Sequence, residues 1–307
     1  MSAPPAGTRV LVTGAGGFIA SHLIPRLLDG GCVVLAQEPE RFAARLAACA
    51  GRVQRLDGAW GEPSTEQQAA GFGPQVVFNL AGYTDQSHSR ENDRRQFDDH
   101  LGIALSVVRA SFGPGLQRLV HASTNEEYGN NPVRHREDMR EMPISAYSAA
   151  KAAVTHYLQM LARSEGLPVV LVRPFLVYGP GQGRGLVHAV GQRALRNEAF
   201  DTTEGRQTRD FTYVDDVVEG LLDAATVPGI EGQIFNLGTG VETEVREAVT
   251  LITRLAGGRP HFGGLPTRPG EMMRSVADPQ KSRESLGWRA RVSLEDGLRR
   301  TLEALRP

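Results

Sequence analysis

A glycine-rich turn joins the first apolar strand of this chain to its first helix, and no other feature constrains the fold as strongly. Arg9-Val10-Leu11-Val12-Thr13 reads as a buried strand running straight into Gly14-Ala15-Gly16-Gly17, and a helix follows from about Phe18 to Leu28. Glycines let the backbone turn sharply and come close to a pyrophosphate. The helix N-terminus then offers that anion free N–H groups and a partial positive charge. A plain tight turn would use the same residues, but the position between strand and helix favours the phosphate-binding use.

Further apolar runs at Val33–Ala36, Val76–Leu80, Leu119–Ser123 and Val169–Val172 are separated by stretches of helical spacing, such as Ile103–Val108 and Lys151–Arg163. This alternation predicts βαβ units in an α/β fold with a doubly wound parallel sheet, whose ligand crevice lies at the carboxyl ends of the strands. Past Arg173-Pro174 the punctuation thickens, with Gly179-Pro180-Gly181, Gly183, Gly185 and a Gly/Pro-rich stretch from Gly257 to Gly270 around a helix near Val187–Arg196. The expected division is a cofactor-binding domain over residues 1–174 and, mainly, a smaller substrate-binding C-terminal lobe over 175–307. A strand near 233–238 is expected to return to the main sheet.

The formal charge of −1 over 307 residues gives no general pull toward nucleic acid or an anionic membrane. No apolar run approaches the ~20 residues of a membrane span, and no basic-then-apolar segment opens the chain. Two cysteines, Cys32 and Cys49, offer neither a disulfide framework nor metal-ligand spacing. They read as reduced thiols of a cytoplasmic enzyme without a metal.

The pair Tyr147-x-x-x-Lys151 carries the chemistry. Six tyrosines and two lysines, Lys151 and Lys281, make such a spacing rare by chance. Four residues apart on a helix, the two side chains face one way. A nearby ammonium would favour the phenolate and bring a phenol, ordinarily near pKa 10, into reach as a base. Upstream, His121-Ala122-Ser123-Thr124-Asn125-Glu126-Glu127-Tyr128-Gly129 follows a strand's carboxyl end, where Thr124 would hydrogen-bond the substrate oxygen that Tyr147 deprotonates and Glu126 is a candidate acid/base. At the end of the second strand an acid would bind the adenosine ribose and an arginine a 2′-phosphate. Gln37 stands there with Glu38 beside it and Arg41 nearby, which leans to NAD and leaves NADP open. Asp57 is a candidate partner of the adenine.

Together, Gly-x-x-Gly-x-x-Ala, Ser-Thr-x-Glu-x-Tyr-Gly, Tyr-x-x-x-Lys and Arg173-Pro174-x-x-x-Tyr178-Gly179-Pro180 resemble the extended short-chain dehydrogenase/reductases that modify nucleotide sugars. The resemblance continues through Arg209-Asp210-Phe211-Thr212-Tyr213-Val214-Asp215-Asp216, Phe235-Asn236-Leu237-Gly238, Arg268-Pro269-Gly270-Glu271 and Leu286-Gly287-Trp288. It implies a Rossmann domain with tightly bound NAD(P), a C-terminal substrate lobe and a homodimer. It assigns Thr124, Tyr147 and Lys151 to a catalytic triad. Gly14, Gly17, Phe18, Ile19, Gln37, Asp57, Leu80, Ala81 and Pro174 fall to the cofactor, together with Tyr147 and Lys151. Ser89, Thr124, Asn125, Arg209 and Arg274 fall to the nucleotide-diphosphate sugar, whose phosphates suit guanidinium forks. Three positions depart from the pattern: Leu176 and Asp99 stand where asparagine is usual, and Asn79-Leu80-Ala81-Gly82 replaces His-Leu-Ala-Ala.

The resemblance implies oxidation of the sugar at C4, and the 4-keto sugar has several fates. A 4-epimerase returns hydride to the other face, a 4,6-dehydratase uses Glu126 as the C5 base, and a ketoreductase starts from the ketone. Asn125 cannot serve as the acid that a dehydratase places beside that base, which ranks the epimerase first. A dinucleotide sensor without catalysis is the reading from another class; keeping one of only two lysines at the required place argues against it.

Overall fold

A computed structural model describes residues 3–38, 49, 51–83, 85, 87, 89–267 and 270–306. The chain runs β1 (Arg9–Thr13), α1 (Phe18–Asp29), β2 (Val33–Gln37), β3 (Gln54–Leu56), α2 (Pro63–Phe72), β4 (Val76–Asn79), α3 (Arg90–Ser111), β5 (Arg118–Ala122), α4 (Ala146–Glu165) and β6 (Val169–Pro174). It continues through β7 (Leu176–Tyr178), α5 (Leu186–Leu195), β8 (Ala199–Thr202), β9 (Thr208–Arg209), β10 (Phe211–Tyr213), α6 (Val214–Thr226) and β11 (Ile234–Leu237). The last elements are β12 (Thr243–Glu244), α7 (Val245–Ala256), β13 (Arg259–Phe262), β14 (Arg274–Ser275), α8 (Gln280–Ser285) and α9 (Leu294–Leu305).

Among the described residues the main sheet has seven strands in the order β11-β6-β5-β4-β1-β2-β3, every pairing parallel. The chain leaves β1 outward in one direction to β2 and β3 and returns on the other side through β4. The strand order therefore reverses between β1 and β4, which opens a crevice beyond their carboxyl ends. Both faces of the sheet are covered, so the strands are apolar on both sides. Val10, Val12, Phe78, Val120 and Val172 pack with Leu23, Ile24 and Leu27 of α1 and Val217, Val218 and Leu221 of α6. Leu11, Val77, Leu119, Val169 and Leu171 pack instead with Val107 of α3 and Val154, Leu158 and Leu161 of α4.

A separate apolar core holds the C-terminal elements together. Tyr178, Val187, Val190, Val249, Ile252, Leu298 and Leu302 join β7, α5, α7 and α9. Short strands β12, β9 and β14 form a small sheet beside it, in that order. Among the described residues, no helix is long and apolar enough to cross a membrane.

Candidate active site

The glycine turn is fixed from two sides. Gly14 sits at φ +63°, and a Cβ there would lie 2.8 Å from the Ala81 Cα, so only glycine admits the end of β4 this closely. Thr13 donates to Asn79 Oδ1 at 2.8 Å and accepts from the backbone N–H groups of Leu80 and Ala81, each at 3.1 Å. One hydroxyl thus ties the two strands at the switch point, with Gly17 capping α1 above them. Phe18 and Ile19 follow on its first turn, half-buried.

Acid and amide at the end of β2 divide the work differently from the sequence expectation. The Gln37 side chain is buried and turned toward β3, donating to the Gly58 carbonyl at 2.7 Å and accepting from Trp60 Nε1 at 2.8 Å. Glu38 instead accepts from the Gly16 N–H at 2.6 Å and so faces the glycine turn. Asp57 is exposed and paired with Arg55 at 2.5 Å. Arg41 lies outside the described residues.

On the other side of the switch point, Ser145 and Ser148 form a capping box that starts α4 and sets Tyr147 and Lys151 one turn apart over the end of β5. Lys151 is buried and donates to the Ala122 carbonyl at 2.8 Å. Burial lowers its pKa to about 8, opposed by the charge of Glu127. Thr124 lies near the Tyr147 hydroxyl and favours its ionised form. With the chain alone its pKa lies above the ordinary value, raised by burial and then by the charge of Glu126, whereas the expectation that the phenolate is favoured counts on the positive nicotinamide beside the ammonium.

A polar stripe that sequence reasoning missed supports Tyr147 from behind. Asn92, Gln96 and His100 recur at helical spacing on the buried face of α3 and bind the carbonyls of Tyr83, Asp85 and Ser87. His100 meets the Tyr147 ring edge-on, centroids 5.4 Å apart. Burial and the nearby Lys151 charge lower its pKa to about 3, so the imidazole is neutral. A spacing of four among buried-side polar residues was the available signal.

Thr124 caps the short 3₁₀ turn Asn125–Tyr128 by accepting from the Glu126 N–H at 3.2 Å. Asn125 Nδ2 donates to Ser275 Oγ at 2.6 Å, which joins this turn to β14. There β9 and β14 run parallel, with Ser275 opposite Arg209. Arg209 is mostly buried, donating to the Thr208 carbonyl at 2.8 Å and paired with Glu271. Arg274 is exposed and binds Glu242 through two contacts of 2.7 and 2.8 Å. Ser89 is an exposed helix cap that accepts from Asn92 N at 3.1 Å. Pro174 ends β6, opposite Leu237. Arg268 and Pro269 lie outside the described residues.

The site thus gathers a glycine turn, a tyrosine one turn from a buried lysine, and Arg209 beside Glu271, whereas Arg274, next to Ser275 on β14, falls on the other face of that strand and pairs with Glu242. The sequence profile described as the NAD dependent epimerase/dehydratase family matches residues 10–238. The chain belongs to this family. It is 35% identical over 321 residues to a UDP-glucose 4-epimerase of Mycolicibacterium smegmatis, covering 97% of this chain and 98% of that one. The structure matches the Thermus thermophilus UDP-glucose 4-epimerase complex with NAD at a TM-score of 0.86 and 31% identity, covering 97% and 98% of the two chains. It matches the Bacillus cereus UDP-glucuronic acid 4-epimerase, in complex with UDP-glucuronic acid and NAD, at 0.89 and 25% identity, covering 97% and 99%. The turn itself fits a dinucleotide: glycine at Gly14 lets it pack against the Leu80–Ala81 backbone at the switch point, and an acid, Glu38, stands at its edge.

Proposed function

We propose that this protein is an NAD-dependent 4-epimerase of nucleotide-diphosphate hexoses, with UDP sugars as substrates. The observation that carries it is Tyr147 one turn of α4 from buried Lys151, whose ammonium binds the Ala122 carbonyl at the carboxyl end of β5. NAD, when bound, supplies the acceptor and donor of the C4 hydride. Gly14, Gly17, Phe18, Ile19, Leu80 and Ala81 would hold it, with Glu38 rather than Gln37 on the adenosine ribose. As the phenolate, which the charges of Lys151 and of the nicotinamide beside it would favour, Tyr147 takes the proton of the C4 hydroxyl, and Thr124 orients the oxygen. After the sugar turns over, Tyr147 returns the proton on the other face. Arg209 and Arg274 bind the diphosphate, exchanging Glu271 and Glu242 for phosphate oxygens.

An amide at Asn125, held by Ser275, favours epimerisation over 4,6-dehydration because it offers no proton to a departing C6 hydroxyl. In this reading residues 1–174 carry the cofactor and 175–307 mainly the sugar nucleotide. Exposed Phe97 on α3 and Met160 on α4, from two helices packed together, support a homodimer through that face. Cys32 and Cys49 are free and buried, as a reducing cytoplasm would keep them. Incubating the purified protein with UDP-galactose and separating the products by anion exchange tests the function. A mixture with UDP-glucose is expected; a 4-keto-6-deoxy product in its place would overturn the proposal.

A further inference from the structure

Beneath the site lies a buried acid that the proposed chemistry does not use. Glu127 and Arg173 are both fully buried, and one carboxylate oxygen of Glu127 accepts from Arg173 Nε at 3.0 Å and Nη2 at 2.6 Å. Its other oxygen accepts from Thr155 Oγ1 at 3.0 Å and from Ser123 Oγ. Thr155 stands one turn beyond Lys151 on α4, and Ser123 follows Ala122, whose carbonyl holds the Lys151 ammonium. Arg173 is further paired with Glu141 at 2.7 Å, which approaches His156 at 3.5 Å. Charges therefore alternate from Lys151 through Glu127, Arg173 and Glu141 toward the surface.

An arginine needs one buried counter-charge, and Glu141 already supplies a carboxylate to Arg173. Glu127 is placed for a second task. We propose that Glu127 is a positioning residue for the Tyr147–Lys151 chemistry: its carboxylate keeps Lys151 an ammonium and, through Ser123 and Thr155, fixes the two segments that seat it. The groups facing Lys151 make this necessary. His100 from α3 and His121 from β5 are basic and are themselves held neutral by burial and the Lys151 charge, so neither supplies a negative partner. Tyr147 is a neutral phenol, and burial draws the ammonium down to about 8 against the pull of Glu127. Burial pushes the Glu127 carboxyl above its ordinary value, opposed by Arg173 and Thr155. Four donors surround it, two of them from a guanidinium, and each favours the ionised form.

This rests on the functional reading above, but its test reads the lysine itself. The chain has two lysines, Lys151 and Lys281. NMR of the holoenzyme with ¹³Cε-labelled lysine therefore gives two titrations, assigned with a Lys281→Arg variant. Glu127→Gln keeps the shape and removes the charge. It should lower the Lys151 pKa by about one pH unit or more. Its kcat deficit should widen as the pH rises from 6 to 8.5, with KM unchanged. Thr155→Val breaks one hydrogen bond and keeps the charge, and should leave the Lys151 pKa in place. If Glu127→Gln alone does not fold, Glu127→Gln combined with Arg173→Met removes the guanidinium left unpaired by the first change and carries the same measurement. A Lys151 titration unmoved by loss of the Glu127 charge would overturn the proposal and leave Glu127 a partner of Arg173 alone. Absence of epimerase activity with a shifted Lys151 would instead count against the functional reading and leave the electrostatic one standing.

Discussion

On the wall of the crevice formed by β5 and α4, Lys151 is held by a backbone carbonyl, Thr124 by the turn it caps, and Tyr147 by the edge of His100. On the C-terminal side, at β9 and β14, Arg209 and Arg274, the arginines proposed to bind the diphosphate, are held by the carboxylates of Glu271 and Glu242. The first set of partners belongs to the β5–α4 wall itself and to α3 packed against it. The second set competes with the group it would bind. The chemical wall is thus preorganised, and the binding wall works by exchange. Catalytic groups gain from the first arrangement because nothing has to reorganise when charge develops, whereas an exposed pair such as Arg274–Glu242 contributes little stability and is readily given up.

The largest expected effect breaks the preorganised wall. Tyr147→Phe should reduce kcat by about 10²–10⁴-fold while the fold and NAD content persist, because it removes the proton-transfer group. Steady-state epimerisation alongside cofactor analysis checks this; a rate near wild type would remove Tyr147 from the chemistry. Arg209→Ala breaks the other wall and should raise KM by about tenfold with kcat spared, since the diphosphate does not change during the reaction. An unchanged KM would make Arg209 a structural partner of Glu271. Glu126→Gln should cost less than about tenfold, because a 4-epimerase removes no C5 proton, whereas loss of a true general base costs about 10²–10⁴-fold. The smallest effect is in pH. Lys151 loses its charge as the pH rises through about 8, so kcat should decline on the alkaline side of that value and hold below it. A profile flat to pH 10 would show that the ammonium is not required.

The two regions also differ in how far they could be read from sequence. Strands of the main sheet other than β3, which reads Gln-Arg-Leu, announce themselves as apolar runs, and Gly14, Tyr147 and Lys151 fall on elements whose spacing is local. Glu38 escaped because successive strand residues face opposite sides: Gln37 turns to Gly58 and Trp60, and the next residue meets Gly16. Glu127–Arg173 and Asn125–Ser275 join residues far apart in the chain, which no local pattern reveals. Strands of two residues, such as β9 and β14, are too short to carry a period at all. Arginines on the binding wall were legible as residue types, but not the carboxylates that occupy them.

Running the reaction on a UDP-hexose in D₂O and following C4 and C5 by NMR tests the central claim most directly. Epimerisation by Tyr147 and Lys151 predicts inversion at C4 with C5 unlabelled. Deuterium at C5 of a 4-keto-6-deoxy product, lost in Glu126→Gln, would contradict it.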